Sequence, residues 1–201
     1  MGITASMVKE LRTKSGVGMM DCKKALIESN GDFGKAVEYL RKKGMSAAAR
    51  RSSKAAKDGT VVSYIHMGGK IGVMVEINCE TDFVAKTDDF RVLAKDIAMH
   101  VAAANPRYLK PEDIPENILE KEKDIYRSQS LAEGKPEKIL DRIVDGKLKK
   151  YYEDACLLEQ KFVKDTDISV RTLVNNMIAK TGENIVVRRF ARFQLGEEIG
   201  G

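Results

Sequence analysis

Histidine and cysteine, two residue types that often carry acid–base or metal chemistry, are few in this 201-residue chain. The histidines and cysteines are His66, His100, Cys22, Cys79 and Cys156. They form no Cys-x-x-Cys pair or other metal-ligand spacing, and no P-loop or Rossmann fingerprint occurs, so the sequence predicts no metal site and no cofactor. Asp82, Asp88 and Asp89 could in principle act as acid or base. With no histidine nearby in sequence, helix capping is the more ordinary role for them.

These aspartates follow a point where a strand pattern stops and a helix pattern begins. From Ile71 to Asn78, β-branched residues alternate with other types, as in a half-buried strand. Thr81 can cap the following helix, with Asp82 at its positive end. Phe83 then falls in the first turn, at a strand-to-helix corner. The pattern allows two interpretations: Phe83 folds back into the core, as lone aromatics usually do, or it projects as an apolar wedge beside an acid.

The composition is typical of a cytosolic globular protein. No run of about 18 apolar residues occurs, so neither a membrane span nor a membrane partner is predicted. The N-terminus lacks the zones of a signal peptide. Scattered cysteines suit a reducing compartment, and the cytoplasm is therefore the expected location.

The net charge of +5 is unevenly distributed. Residues 1–57 hold 13 Lys and Arg against 5 Asp and Glu, a net +8, whereas the remainder holds 22 against 25, a net −3. This asymmetry indicates either a nucleic-acid surface or an acidic protein partner. Only Phe33 and Tyr39 could stack on bases in the basic part, which disfavours RNA binding.

Residues 1–44 are predicted to form a bundle of three short helices. Candidate caps and stops are Thr4, Gly16, Asn30-Gly31, Asp32 and Gly44. Thr and Asp side chains start helices, and Gly commonly ends them, so we expect the third helix to end at Gly44. Residues 45–57 are basic and lack apolar periodicity, which predicts a linker or a loosely held helix.

Residues 58–201 are predicted to form the core. A first strand precedes Gly68-Gly69, a two-residue hairpin turn, and the second strand leads to the corner described above. A helical hairpin is expected at about 115–160, and a last helix capped by Asp167 is expected to end at Gly182.

A third strand is predicted after that helix. One face of it would carry Ile185, Val187, Ala191, Phe193 and Leu195, and the other Arg188 and Arg192. The predicted class is α+β: an N-terminal three-helix bundle, then a three-stranded antiparallel sheet packed with helices.

Two long motifs carry a family resemblance. The stretch Glu76 to Lys86, with its Thr-Asp-Phe-Val-Ala run, resembles the core signature of translation elongation factor Ts. The stretch Leu11 to Leu26 is similar to the N-terminal signature of the same family. The bundle resembles the ubiquitin-associated type of domain.

The resemblance implies a function without covalent chemistry. Members of this family are guanine-nucleotide exchange factors for elongation factor Tu, the GTPase that carries aminoacyl-tRNA. They bind the GDP-bound GTPase, disturb its magnesium and phosphate site, and promote GDP release so that GTP can bind. No direct nucleic-acid contact is expected. A ribosome- or RNA-binding protein and an acid–base enzyme are the alternative classes.

The resemblance also implies site residues. Asp82 and Phe83 would form the wedge that displaces magnesium, with Thr81 as its cap and Val84 beside it. The N-terminal contacts would be Arg12, Met19 and Met20. His100 would be a further partner contact, and the alternative for it is a satisfied, semi-buried histidine. This chain carries one core module where longer members carry two, so a homodimer is expected to supply the second.

Overall fold

The computed structural model describes residues 2–198. They form two compact units, one holding residues up to Met99 and from Arg171 onward, the other His100–Val170. The helices are α1 (Ala5–Ser15), α2 (Met19–Glu28), α3 (Phe33–Arg51), α4 (Asp82–Ala85), α5 (Asp88–Ala104), α6 (Glu116–Ala132), α7 (Leu140–Ala155) and α8 (Val170–Thr181). The strands are β1 (Asp58–Ile65), β2 (Ile71–Cys79), β3 (Lys161–Phe162), β4 (Asp165–Ser169) and β5 (Val186–Gln194).

The caps predicted for the N-terminal helices are present. The Thr4 hydroxyl accepts a hydrogen bond from the Met7 amide at 3.3 Å, and the Asp32 carboxylate accepts one from the Lys35 amide at 3.0 Å. Gly16 ends α1 in the left-handed region, at φ 67°. The three helices enclose a core of their own: Val8, Leu11, Val17, Cys22, Ala25, Leu26, Ala36 and Leu40.

The predicted end of α3 at Gly44 is wrong, because the helix continues to Arg51. Gly44 is buried inside this helix. A Cβ atom there would lie 3.5 Å from the Asn176 side-chain oxygen and 3.6 Å from the Asn175 carbonyl oxygen, both ordinary van der Waals distances, so Gly44 packs against α8 instead of ending α3. Residues 45–51 are thus helical, while the functional division into 1–44, 45–57 and 58–201 stays a prediction.

The three-stranded antiparallel sheet is confirmed, with the order β1-β2-β5. Gly68 and Gly69 have positive φ angles of 86° and 69°, as their turn role predicts. The connection is longer than the predicted two residues, since β1 ends at Ile65 and β2 begins at Ile71. One face of β2 is fully covered by protein; we call it the covered face, formed by Val73, Val75, Ile77 and Cys79.

The predicted alternation of the third strand is wrong beyond Val187. Ile77 pairs with Val187 and Glu76 with Arg189, which leaves Arg188 as an extra, bulged residue. Because side chains alternate with period 2, one extra residue moves all later side chains to the other face. Phe193 therefore lies opposite Gly72 on the open face, and the side chain of Arg192 is mostly buried opposite Val73.

The second unit contains the predicted helical hairpin. Helices α6 and α7 pack together, with an Arg127–Asp141 ion pair of 2.5 Å and a hydrogen bond from the Lys147 ammonium to Gln129. Asp167 was predicted to cap the last helix, but it lies in β4, and α8 begins at Val170. Among residues 2–198, none of the helices combines the length and the apolar composition that a membrane span requires.

Candidate functional site

The corner between β2 and α4 places Phe83 at the surface. Strand β2 ends at Cys79, and the single helical turn α4 follows from Asp82. The Phe83 side chain is 81% exposed, whereas Phe90, at the start of α5, is fully buried. Of the two interpretations left open by the pattern, the structure therefore favours the projecting aromatic.

Thr81 occupies the N-cap position of α4, but its side chain does not cap the helix. The Thr81 hydroxyl instead donates a 2.6 Å hydrogen bond to Oε1 of Glu183. The Oε2 atom of Glu183 accepts the backbone amides of Glu80 and Thr81, both at 3.1 Å. The corner is thus held by a carboxylate far away in sequence, which the local pattern did not indicate.

Asp82 presents a charged carboxylate beside the exposed ring. It pairs with Lys86 one turn later, at 2.6 Å between Nζ and Oδ2. This hydrogen bond and the lysine charge lower the pKa of Asp82 and raise the pKa of Lys86. Asp82 therefore stays ionised near neutral pH.

The other two aspartates of this region lie in the first turn of α5. Asp89 pairs with Lys180 of α8 at 2.7 Å. Asp88 lies in the first turn of α5, whose start Thr87 caps by accepting the Phe90 amide at 3.3 Å. Among residues 2–198, no group of three or more His, Cys, Asp or Glu side chains could hold a metal ion.

The three cysteines are buried thiols in the structure. Cys79 ends β2 directly before the corner, and its thiol donates to the Thr81 carbonyl at 3.1 Å. Burial, reinforced by the charges of Glu183 and Asp58, raises the pKa of Cys79 to about 11. Such a thiol is protonated and unreactive at neutral pH, so Cys79 supports the corner rather than doing chemistry.

The N-terminal candidates also lie at the surface. Arg12 is exposed near the end of α1, and Met19 and Met20, the first residues of α2, are 45% and 74% exposed. The loop between α1 and α2 is fixed from the core side, because the buried Cys22 thiol donates a hydrogen bond to the Val17 carbonyl at 3.6 Å. The sequence thus places two flexible thioethers and a guanidinium on the outside of the bundle.

His100 is fully buried and both of its ring nitrogens are engaged. The Val163 amide donates to Nδ1 at 3.3 Å, so Nε2 carries the proton and donates to Gln160 Oε1 at 2.9 Å. Burial lowers the pKa of His100, against a smaller upward effect of the Gln160 hydrogen bond. This geometry favours the alternative role left open by the sequence, a satisfied histidine, and the ring presents no free nitrogen to a partner.

A second exposed surface lies on the sheet. The open face, opposite the covered face, carries large apolar side chains from all three strands: Val61, Ile65, Met74 and Phe193. Glu76 lies beside them and pairs with Arg189 at 2.7 Å. Several exposed apolar side chains on one face, with charged side chains among them, are typical of a protein–protein contact.

Comparison with known proteins identifies relatives over nearly the whole chain. A family model described as Elongation factor TS matches residues 20–197. The chain is 73% identical over 199 residues to the elongation factor Ts of Syntrophus aciditrophicus, covering 99% of both chains. It is 58% identical to that of Caldanaerobacter subterraneus subsp. tengcongensis, covering 98% of both chains, and 59% identical to that of Moorella thermoacetica, covering 98% of this chain and 97% of the relative. The chain belongs to the elongation factor Ts family.

Proposed function

We propose that this protein is a guanine-nucleotide exchange factor for translation elongation factor Tu, acting in the elongation phase of protein synthesis. Family membership supports the partner, and the exposed Phe83 beside an ionised Asp82 is the observation that carries the mechanism. No bond is made or broken: the factor binds the GTPase more tightly when nucleotide and magnesium are absent. By reciprocity, its binding weakens nucleotide binding.

The wedge acts by inserting an aromatic side chain into a pocket of the GTPase. A single exposed aromatic that becomes desolvated on binding is a typical hot spot, worth about 2 kcal/mol or more on truncation. Displacing the elements that hold magnesium removes the largest positive charge near the phosphates, so GDP leaves faster. Asp82 adds a negative charge next to the ring, and Val84 flanks it.

The N-terminal bundle supplies a second contact. Residues 1–57 carry a net charge of +8, which suits an acidic partner and speeds encounter. Arg12, Met19 and Met20 are exposed on this ubiquitin-associated-like bundle and form the contact surface. Both surfaces together hold the GTPase.

A homodimer completes the factor. The open sheet face exposes apolar side chains, including Phe193 at 68%, that a second copy of this chain would cover. Covering them removes apolar area from water, which favours association. Sedimentation of the wild type and of Phe193→Glu tests this: the wild type should sediment as a dimer and the variant as a monomer. A monomeric wild type at micromolar concentration would contradict it.

The decisive experiment measures release of a fluorescent GDP analogue from elongation factor Tu by stopped flow. Wild type should strongly accelerate release, and Phe83→Ala should reduce the acceleration roughly tenfold or more, equivalent to a loss of at least about 1.4 kcal/mol. Leu131→Ala, which truncates another exposed apolar side chain on α6, is the control and should keep wild-type activity. If the wild type does not accelerate release, the proposed function is wrong.

A further inference from the structure

Two segments distant in sequence are tied together at the corner below Phe83. Glu183 follows Gly182, which ends α8 with a φ of 73°, and it precedes β5. Its carboxylate accepts the three hydrogen bonds described above, from the amides of Glu80 and Thr81 and from the Thr81 hydroxyl. All three donors lie within three residues of Phe83 in sequence.

Hydrogen bonds between the two segments run in both directions. Oε1 of Glu80 accepts the Asn184 amide at 2.7 Å and pairs with Arg51 at 3.5 Å. The buried Asn184 side chain donates to the Lys54 carbonyl at 2.8 Å. We name this set the corner clamp: Arg51, Lys54, Glu80, Thr81, Glu183 and Asn184.

The corner needs such support because α4 has little of its own. It is a single turn of four residues, none of them buried. Isolated helices much shorter than about 12 residues are marginal in water. Apolar packing of α4 is therefore weak, and the clamp fixes the backbone from which Phe83 projects.

We propose that Glu183 is a positioning residue for nucleotide exchange: by binding the Glu80–Thr81 backbone, it holds Phe83 in the orientation that the GTPase accepts. This inference rests on the proposed function and deepens it. A preorganised aromatic loses less freedom on binding, so affinity for the transition state of GDP release is higher. Glu183 itself need not touch the GTPase.

The first test is a double-mutant cycle on the stopped-flow assay. Glu183→Ala should lower the maximal acceleration roughly tenfold, and Glu183→Ala combined with Phe83→Ala should be no worse than Phe83→Ala alone, within about twofold. A residue that acts only through global stability would reduce the activity of both backgrounds equally. Additive losses in the double variant would overturn the proposal.

Conservative variants separate positioning from charge. Glu183→Gln keeps an oxygen for the two amides and gains an NH₂ group that can donate to the Thr81 hydroxyl. It should retain activity within about twofold of wild type, whereas Thr81→Val, which loses only the hydroxyl bond, should be intermediate. Glu198→Ala, which truncates an exposed carboxylate after β5, is the matched control and should be unchanged. Equal loss in the Gln and Ala variants would contradict positioning.

A second readout needs no GTPase. The chain contains no tryptophan, so Phe83→Trp introduces a single indole fluorophore at the corner. In that background, Glu183→Ala should lower the fluorescence anisotropy of the introduced indole, and Glu183→Gln should not. Circular dichroism and thermal unfolding of each variant check that the chain is folded. Unchanged anisotropy would overturn the inference even if exchange is active. Lowered anisotropy without wild-type exchange would reject the proposed function and leave only the structural part, that Glu183 holds the side chain at position 83.

Discussion

The two faces of the β1–β2–β5 sheet differ in what their apolar side chains do. On the covered face, Val75 and Ile77 are completely buried, whereas on the open face Met74 and Ile65 are 52% and 65% exposed. Val75 and Met74 are neighbours in β2, so one strand serves both environments. Burying apolar area stabilises the fold by about 25 cal/mol per Å², and exposed apolar area contributes nothing until a partner covers it.

This difference indicates which face stabilises the fold and which face is available to bind a partner. The side chains of the covered face stabilise the first unit, whereas those of the open face contribute little to its stability. The corner shows the same contrast between supporting and exposed side chains. Glu183 and Asn184 of the clamp are at least partly buried, while Phe83 is exposed. Substitutions that are matched between the two faces can therefore separate stability from binding.

The largest difference is expected from the same charge placed on adjacent residues. Val75→Asp buries a carboxylate without a counter-charge and should destabilise the fold by about 3–5 kcal/mol. Met74→Asp points to solvent and should leave stability within about 0.5 kcal/mol of wild type. Chemical denaturation at low protein concentration measures both. Unfolding of the Met74 variant would show that the open face belongs to the core.

A smaller difference is expected from truncating matched isoleucines. Ile77→Ala leaves a cavity and should lower the free energy of unfolding by about 2–5 kcal/mol. Ile65→Ala on the open face should change it by less than about 0.5 kcal/mol. Urea titration gives the two values. Similar costs for both would remove the distinction between the faces.

A backbone substitution probes how closely the two strands approach. Gly59 in β1 has a φ of 141°, and a Cβ atom would collide with the Ile77 carbonyl oxygen and lie 2.7 Å from Asn78 Cα. Gly59→Ala should therefore cost about 1–3 kcal/mol. Gly146→Ala, in α7 with open space around it, should instead stabilise by about 0.5–1 kcal/mol. Thermal unfolding of the two variants tests the contrast.

The smallest effect concerns a buried polar group, His100. Burial lowers its pKa below the ordinary 6.5, so below that pH the unfolded chain binds the proton more readily than the folded one. The free energy of unfolding should therefore fall as the pH drops below about 6.5, by at most about 1.4 kcal/mol per unit, until the pH reaches the folded pKa. His100→Gln should lack this component, and the exposed His66→Gln should keep it. Denaturation between pH 7 and 5 compares the slopes.

Much of the fold was predictable because its signals are local. These signals depend only on residues that are close in sequence. They include the Thr4 and Asp32 caps, the Gly16 helix end and the alternating pattern of β2. The corner and its exposed Phe83 were likewise indicated by a contiguous motif. The resemblance selected the projecting ring where periodicity left two interpretations.

The sequence by itself determined the helical and strand periodicities, most helix ends and the family, since each rests on neighbouring residues or contiguous motifs. Only the tertiary structure decided which glycine ends a helix and which, like Gly44, lies buried inside one. The bulge at Arg188 reversed the faces of β5, because strand register is set by the partner strand. Likewise, the Thr81 hydroxyl donates to the carboxylate of Glu183, which is 102 residues away in sequence, so only the folded chain brings this acceptor to the corner.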